Sequence, residues 1–326
     1  MIITRAPVRI SFLGGGTDYP EHFLRHGGAV LATAIDKFNY VTAHRHRSEM
    51  FDYAIRVQYR KVESARTIDE IEHAVFRECL RFCSIERDIE LHTIANLPAF
   101  TGLGSSSTFT VSLLHALHAF KGEFRRPIEL AYEAIHIERN VLGDRVGCQD
   151  QTLAAVGGFN LIEFRKEDDI RVHRLPISPQ RRDEFAAHLF MVYTGVTRRA
   201  SEVVAKQLAK VNDNTATLLR MRALVDIGWD VLTGDGPIEA FGALLDESWR
   251  AKRSLDAGVS GDFIDELYAR GLTAGALGGK LLGAGGGGFL LFFAPPERHE
   301  RLRAALGELN HVDLNIDAPG SQIVYS

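Results

Sequence analysis

Apolar positions in the first third of the chain cluster in short segments rich in β-branched side chains, which predict strands over 2–13 and 29–43. The alternating run FDYAIRVQYRKVE predicts a further strand over 51–63. The period then changes. Residues 69–83 carry Ile71, Val75, Phe76, Cys79 and Leu80 at helical spacing, and 88–95 returns to strand. Helices follow over about 106–121 and 128–141, with Pro127 placed at the first turn of the second. A short helix begins after DRVGCQD, and GGFNLIEF at 157–164 reads as a turn leading into a strand. Beyond HLFMVYTG at 188–195, a buried-strand signal, four helical stretches run from about 198 to 270. A glycine-rich loop at 283–288, the strand FLLFFA, a helix at 297–308 and a strand near 311–316 close the chain.

At 326 residues this pattern predicts two domains, 1–180 and 181–326, divided within the polar stretch 166–186. A composition of 45% hydrophobic and 25% charged residues is that of an ordinary globular chain. The net charge of −4 gives no global attraction to nucleic acid or to an anionic membrane, so any phosphate site must be local. Cys79, Cys83 and Cys148 form neither a disulfide framework nor a CxxC pair. With no signal-peptide pattern and no apolar run of membrane-spanning length, the cytoplasm is the expected address. HRHR at 44–47 reads as an exposed strand edge, and none of the thirteen histidines is assigned a catalytic role.

Three segments carry the chemistry. PAFTGLGSSS, residues 98–107, runs directly into the helical pattern TFTVSLLHALHAF, so a glycine- and hydroxyl-rich turn stands at a helix N-terminus. Unsatisfied N–H groups and the positive end of the macrodipole favour an anion there. The turn is either an ordinary serine-capped helix or a phosphate cradle in which Gly102 and Gly104 admit the anion and the serines add hydroxyls. KLLGAGGGGFLLFF, residues 280–293, sets five glycines in six positions, which fits a hinge or a backbone closely approached by something else. In RAPVRISFLGGGTDYP, residues 5–20, Arg9 lies on a strand leading into Gly14, Gly15 and Gly16. Thr17 and Asp18 after it form either an Asx-type turn or a place where a carboxylate meets sugar hydroxyls.

Taken together, in order and at suitable separations, residues 6–19, 98–107 and 280–288 resemble the three motifs of the GHMP kinases, named for galactokinase, homoserine kinase, mevalonate kinase and phosphomevalonate kinase. Galactokinases carry Gly-Glu-His-Thr-Asp where this chain has Gly14-Gly15-Gly16-Thr17-Asp18, which argues against galactose. The GGGTD form, with CQDQ at 148–151, GGFN at 157–160, YTGVTRRAS at 193–201 and SWRAKR at 248–253, is similar to the bacterial D-glycero-D-manno-heptose 7-phosphate kinases over essentially the whole chain.

The resemblance implies an α+β, two-domain GHMP kinase fold, with an N-terminal mixed α/β nucleotide-binding domain and a C-terminal ferredoxin-like domain. ATP and acceptor would lie in the cleft between them. No Walker A sequence is present, so the ATP cradle is assigned to Pro98, Gly102, Leu103, Gly104, Ser105, Ser106 and Ser107, with Gly285 and Gly286 from the third motif. By the same resemblance Ser106 and Glu138 hold Mg2+, with Asp144 as the competing carboxylate, and Asp150 is the general base with Arg9 beside it. Gly15, Gly16, Thr17, Asp18, Gln151 and Gly287 are assigned to the acceptor. Arg198 is placed on its distal phosphate, with Arg199 beside it and Lys252 and Arg253 as a second basic cluster.

The implied activity is ATP-dependent phosphorylation of the C1 hydroxyl of heptose 7-phosphate, a step toward nucleotide-activated heptose for surface polysaccharide. The partner is then a small sugar phosphate, with no nucleic acid and no membrane, and the protein a monomer or homodimer. Two alternatives stay open: another sugar 1-kinase of the fucose type, and a catalytically silent regulator that binds ATP and sugar.

Overall fold

The computed structural model describes residues 1–99, 101–197, 200–307 and 309–326. Strand β1 (Ile2–Leu13), the glycine loop, helix α1 (Pro20–His26) and strand β2 (Gly28–Arg45) make the opening antiparallel pair. Strands β3 (Ile55–Gln58) and β4 (Val62–Ala65), helix α2 (Ala74–Phe82) and strand β5 (Ile89–Ala95) follow. Next come helices α3 (Ser105–Lys121), α4 (Pro127–Ile135) and α5 (Gln149–Val156), then strands β6 (Phe159–Lys166) and β7 (Asp169–Arg174). These strands and the last, β12 (Gln322–Tyr325), form an eight-stranded sheet of order β12-β1-β2-β5-β3-β4, with β6 on β2 and β7 on β6. The long β2 divides its partners: residues 28–33 pair with β6 and 39–45 with β5. Its pairing with β1 stops at Ala43, so His44 and Arg45 pair on one side only, with β5, and together with Arg47 are exposed, as expected of HRHR. His46 is buried against Phe51 and Tyr53.

The alternating run 51–63 is a tight hairpin rather than one strand. Tyr59 N–H bonds the Lys61 carbonyl at 2.9 Å, and the buried positions pass from Ile55 and Val57 to Glu63 and Ala65. Alternation continues across the turn, and no glycine or asparagine marks it. Helix α3 buries residues on every face, as a helix enclosed by other elements must. Its Leu113, Leu114 and Leu117 are fully buried against the sheet, each contributing about 1.5–3 kcal/mol.

Helix α6 (Pro179–Ala187) leads into β8 (Leu189–Tyr193), followed by helices α7 (Ala200–Ala209), α8 (Thr215–Thr233), α9 (Ala240–Ser254) and α10 (Asp262–Thr273). Strands β9 (Gly278–Leu281) and β10 (Phe289–Phe293), helix α11 (His299–Leu306) and strands β11 (Asn310–His311) and β12 (Gln322–Tyr325) complete the chain. The second sheet is antiparallel, β11-β8-β10-β9. Counted within that sheet the order is 4-1-3-2, with helices after the first and third strands, which is the ferredoxin-like arrangement. The strand expected near 311–316 is confined to two residues. β12 instead returns to pair with β1 in the larger sheet. Among the described residues no helix is long and apolar enough to cross a membrane.

Candidate active site

The glycine loops meet around a cavity of about 370 Å³. β1 delivers Arg9 to its floor, 5% exposed, through two register shifts that bend the strand at Pro7/Arg9 and Ser11/Leu13. The guanidinium grips Asp150 with both arms, Nε to Oδ1 at 2.7 Å and Nη2 to Oδ2 at 2.8 Å. Nη1 donates to the Gly102 carbonyl at 2.6 Å, and the Arg9 N–H bonds the Leu103 carbonyl at 3.2 Å. One residue therefore ties the first motif to the second and to the carboxylate. Asp150 sits in the first turn of α5, where the helix dipole favours a negative charge.

Helix α3 begins at Ser105 with Gly104 as its cap, at φ 75° and with no side-chain bond to the cap. Ser105, Ser106 and Ser107, whose N–H groups a helix leaves without intrahelical partners, all line the cavity. Gly102 packs backbone to backbone on the third loop: a Cβ there would lie 2.5 Å from the Leu282 carbonyl oxygen. Gly285 and Gly287 line the opposite wall, while Gly286 turns away and donates its N–H to the Val259 carbonyl at 3.0 Å. This uncapped helix terminus between glycine walls fits an oligophosphate.

On the other side of Asp150 lies Asp18, 1% exposed, accepting the Gly16 N–H at 3.1 Å and the Gln149 N–H at 3.3 Å. Burial, and then the Asp150 charge, push its carboxyl up. Gly15 and Gly16 line the cavity beside it. Thr17 is turned inward instead, its hydroxyl donating to the Gly14 and Ala29 carbonyls at 2.8 and 2.9 Å, and so locks the loop. Leu103 is buried, and Pro98 stands outside the cavity wall with its carbonyl bonded by the Thr101 hydroxyl.

Glu138 lies behind the serines on a π-helical turn, His136–Val141, where the sequence pattern predicts continued α-helix. Its carboxylate accepts the Thr110 hydroxyl at 2.6 Å, the Ser107 hydroxyl at 2.8 Å and the Gln151 amide. Its partner is thus Ser107; Ser106, the serine paired with it in sequence, faces the cavity one helix position away. Gln151 is fully buried on Glu138 and does not line the cavity, whereas Gln149 does.

All the side-chain partners of Glu138 are neutral, and burial pushes its carboxyl up to about 7. Glu138 does not itself line the cavity, whereas Asp144 does; a buried carboxylate with no cationic partner directly behind Ser107 fits a divalent cation drawn against the phosphates. Because the folded pKa lies above the ordinary 4.5, this group's stabilising contribution is complete below about 4.5 and is lost as pH rises through about 7. Glu138→Gln removes that loss, and its amide can donate to Gln151 Oε1, a buried oxygen without a partner. In EDTA the variant is expected to melt above the wild type at pH 8, with the gap closing toward pH 5. Differential scanning calorimetry across that range checks it.

Two lysines complete the wall. Lys280, which opens the third motif and has no role assigned from sequence, is 2% exposed and donates to the Ser11 and Phe12 carbonyls at 2.9 and 2.8 Å, strapping the end of β1. Lys252 reaches the cavity from α9 and donates to the Gly283 carbonyl, while its neighbour Arg253 leaves for Asp265 at 2.7 Å. Helical geometry separates adjacent residues by about 100°. Arg198 and Arg199 lie outside the described residues. Arg145, not singled out from sequence, lines the cavity without an ion-pair partner among the described residues.

A family model described as GHMP kinases N terminal domain matches residues 64–158, and one described as GHMP kinases C terminal matches 231–311. The D-glycero-alpha-D-manno-heptose 7-phosphate kinase of Campylobacter jejuni is 30% identical over 318 residues, 94% of this chain and 93% of that protein. The bifunctional fucokinase/GDP-fucose pyrophosphorylase of Arabidopsis thaliana is 26% identical over 95% of this chain and 31% of its own length. Among solved structures, a D-glycero-D-manno-heptose 1-phosphate kinase from Bacteroides thetaiotaomicron covers 100% of both chains at a TM-score of 0.73 and 24% identity.

Proposed function

The chain belongs to the GHMP kinase family, and from that premise we propose that this sugar kinase transfers the γ-phosphoryl group of ATP to the C1 hydroxyl of D-glycero-D-manno-heptose 7-phosphate. The product is heptose 1,7-bisphosphate, which feeds nucleotide-activated heptose and surface polysaccharide. The observation that carries the reaction is the ion-paired Asp150, standing in one cavity between the uncapped α3 N-terminus and Asp18.

ATP phosphates are held by the N–H groups of Ser105 to Ser107, the hydroxyls of Ser105 and Ser106, and the backbone at Gly285 and Gly287. Glu138 and Ser106 would hold Mg2+, which neutralises phosphate charge when bound. Asp18 accepts hydroxyl hydrogens of the sugar and orients it. Asp150 takes the C1 hydroxyl proton as that oxygen forms its bond to the γ-phosphorus. The bond from phosphorus to the bridging oxygen breaks, and ADP departs with the electron pair.

The 7-phosphate needs a cation, and Arg145, on the cavity wall with no ion-pair partner among the described residues, supports that reading. It stands two residues before Gly147, whose backbone packs on the Asp18 carboxylate. Arg145→Ala is expected to raise KM for heptose 7-phosphate by about 10- to 100-fold, the equivalent of a lost charge-assisted bond, with kcat little changed. KM for the unphosphorylated sugar should not move.

A second reading, a fucose-type 1-kinase, is supported by the 26% identity to the bifunctional fucokinase/GDP-fucose pyrophosphorylase over 95% of this chain. ADP release over a panel of free and phosphorylated sugars decides between them, with phosphorus NMR locating the new ester. Turnover of free fucose alone would reject the heptose assignment and leave the kinase.

A further inference from the structure

Two cations, Arg9 and Lys252, face the reaction space beside Asp150, and their commitments differ. Arg9 uses three of its five N–H groups on protein acceptors, and its charge is matched by Asp150 in a two-point ion pair. Lys252 is 7% exposed and donates one of its three N–H groups, to the Gly283 carbonyl; among the described residues no carboxylate lies within ion-pair distance. An ammonium withdrawn from water with two unfilled donors, on the wall of an oligophosphate cavity, calls for an anionic partner. Lys280 is less available, because two of its three N–H groups are used on the Ser11 and Phe12 carbonyls.

We propose that Lys252 is a catalytic residue whose ammonium contacts the phosphoryl group in transit, while Arg9 is committed to holding Asp150. The two duties of a cation at this site, fixing the base and stabilising transferred charge, thereby fall to different side chains from different domains. As the bond from phosphorus to the bridging oxygen breaks and the acceptor oxygen attacks, charge on the equatorial oxygens meets a cation already stripped of water. Contact with Gly283 couples that cation to the third glycine loop, so the loop and the charge are positioned together.

Charged groups face Lys252 from every side: Arg9 on β1, Asp18 after it, Asp150 on α5 and Lys280 on β9. Burial, then Arg9, lowers the Lys252 pKa to about 8 against the opposing pull of Asp18 and Asp150. The lysine is cationic below that pH and loses its charge above it, so kcat falls on the alkaline side.

The inference rests on the kinase reading and not on the identity of the sugar. Its test compares Lys252→Met and Lys252→Arg with wild type, using whichever sugar the panel identifies. Lys252→Met is expected to lose ~10²–10³ in kcat, the cost of removing one transition-state contact, with KM for ATP and sugar little changed. Calorimetry supplies the readout besides activity: the variant keeps wild-type affinity for Mg·ADP but loses the tightening by aluminium fluoride in the presence of sugar, a mimic of the planar phosphoryl group. Lys252→Arg restores part of kcat and removes the alkaline limb near pH 8. An unchanged kcat overturns the proposal. So does a parallel loss of Mg·ADP and fluoride affinity, which would make Lys252 a prop for the glycine loop, or a loss confined to the sugar KM. Wild-type turnover of a different sugar would reject the heptose assignment alone.

Discussion

Asp150→Asn is expected to lower kcat by ~10²–10⁴-fold, the range a positioned general base supplies, while Mg·ADP affinity stays near that of wild type. The substitution keeps the size of the side chain and one acceptor oxygen, so α5 and its first turn remain. Two things change. The acceptor hydroxyl loses the group that takes its proton, and one arm of Arg9 faces an amide N–H instead of a carboxylate oxygen. Nucleotide contacts come from α3 and the glycine loops, which Asp150 does not build, so binding and chemistry should separate. Arg9→Met should cost a comparable factor, and the double variant little more than either single, because base and holder act as one unit. Steady-state kinetics with calorimetry on the same preparations measures both effects. Asp150→Asn within tenfold of wild type would place the base elsewhere, and Asp18 is the next carboxylate in the cavity.

How much of this was legible in the chain depended on whether the cause was local. The glycine loops could be read because a cradle of backbone N–H groups needs residues without Cβ at fixed offsets from a helix start, and that requirement is written in consecutive positions. The Arg9–Asp150 pair spans 141 residues and emerged only through the family resemblance. Gln149 and Gln151 are indistinguishable in sequence. The fold buries the second against Glu138 and leaves the first in the cavity, because two residues of helix are about 200° apart. The π-helical turn carrying Glu138 is a one-residue excess that apolar periodicity does not register. Lys252 and Arg253 looked like one basic cluster, and only the packing of α9 separates the cavity-facing cation from the one on Asp265. Lys280 was hidden for the opposite reason: a lysine in an apolar strand carries no signal of the two carbonyls it will strap.

Gly104→Ala should cost far more in activity than in stability. Gly104 caps α3 at φ +75°, a conformation that costs an alanine about 1–2 kcal/mol. A Cβ built there meets the Asp150 carboxylate, 2.9 Å from Oδ2 and 3.1 Å from Cγ. Relief by moving Asp150 breaks its two-point hold on Arg9, and relief by moving the cap swings the N–H groups that receive the phosphates. Both failures therefore appear together. We expect kcat to fall by ~10²-fold, since displacing a reacting group by a fraction of an ångström has that effect, and KM for ATP to rise in parallel. Gly122→Ala is the control, because Gly122 ends the same helix at the same φ of +75° with nothing within 4 Å of its Cβ. The two variants pay the same kind of backbone strain and should melt within a few degrees of one another, yet only the first should lose activity. Equal activity in both would mean that the cap and the base do not share the space the structure gives them.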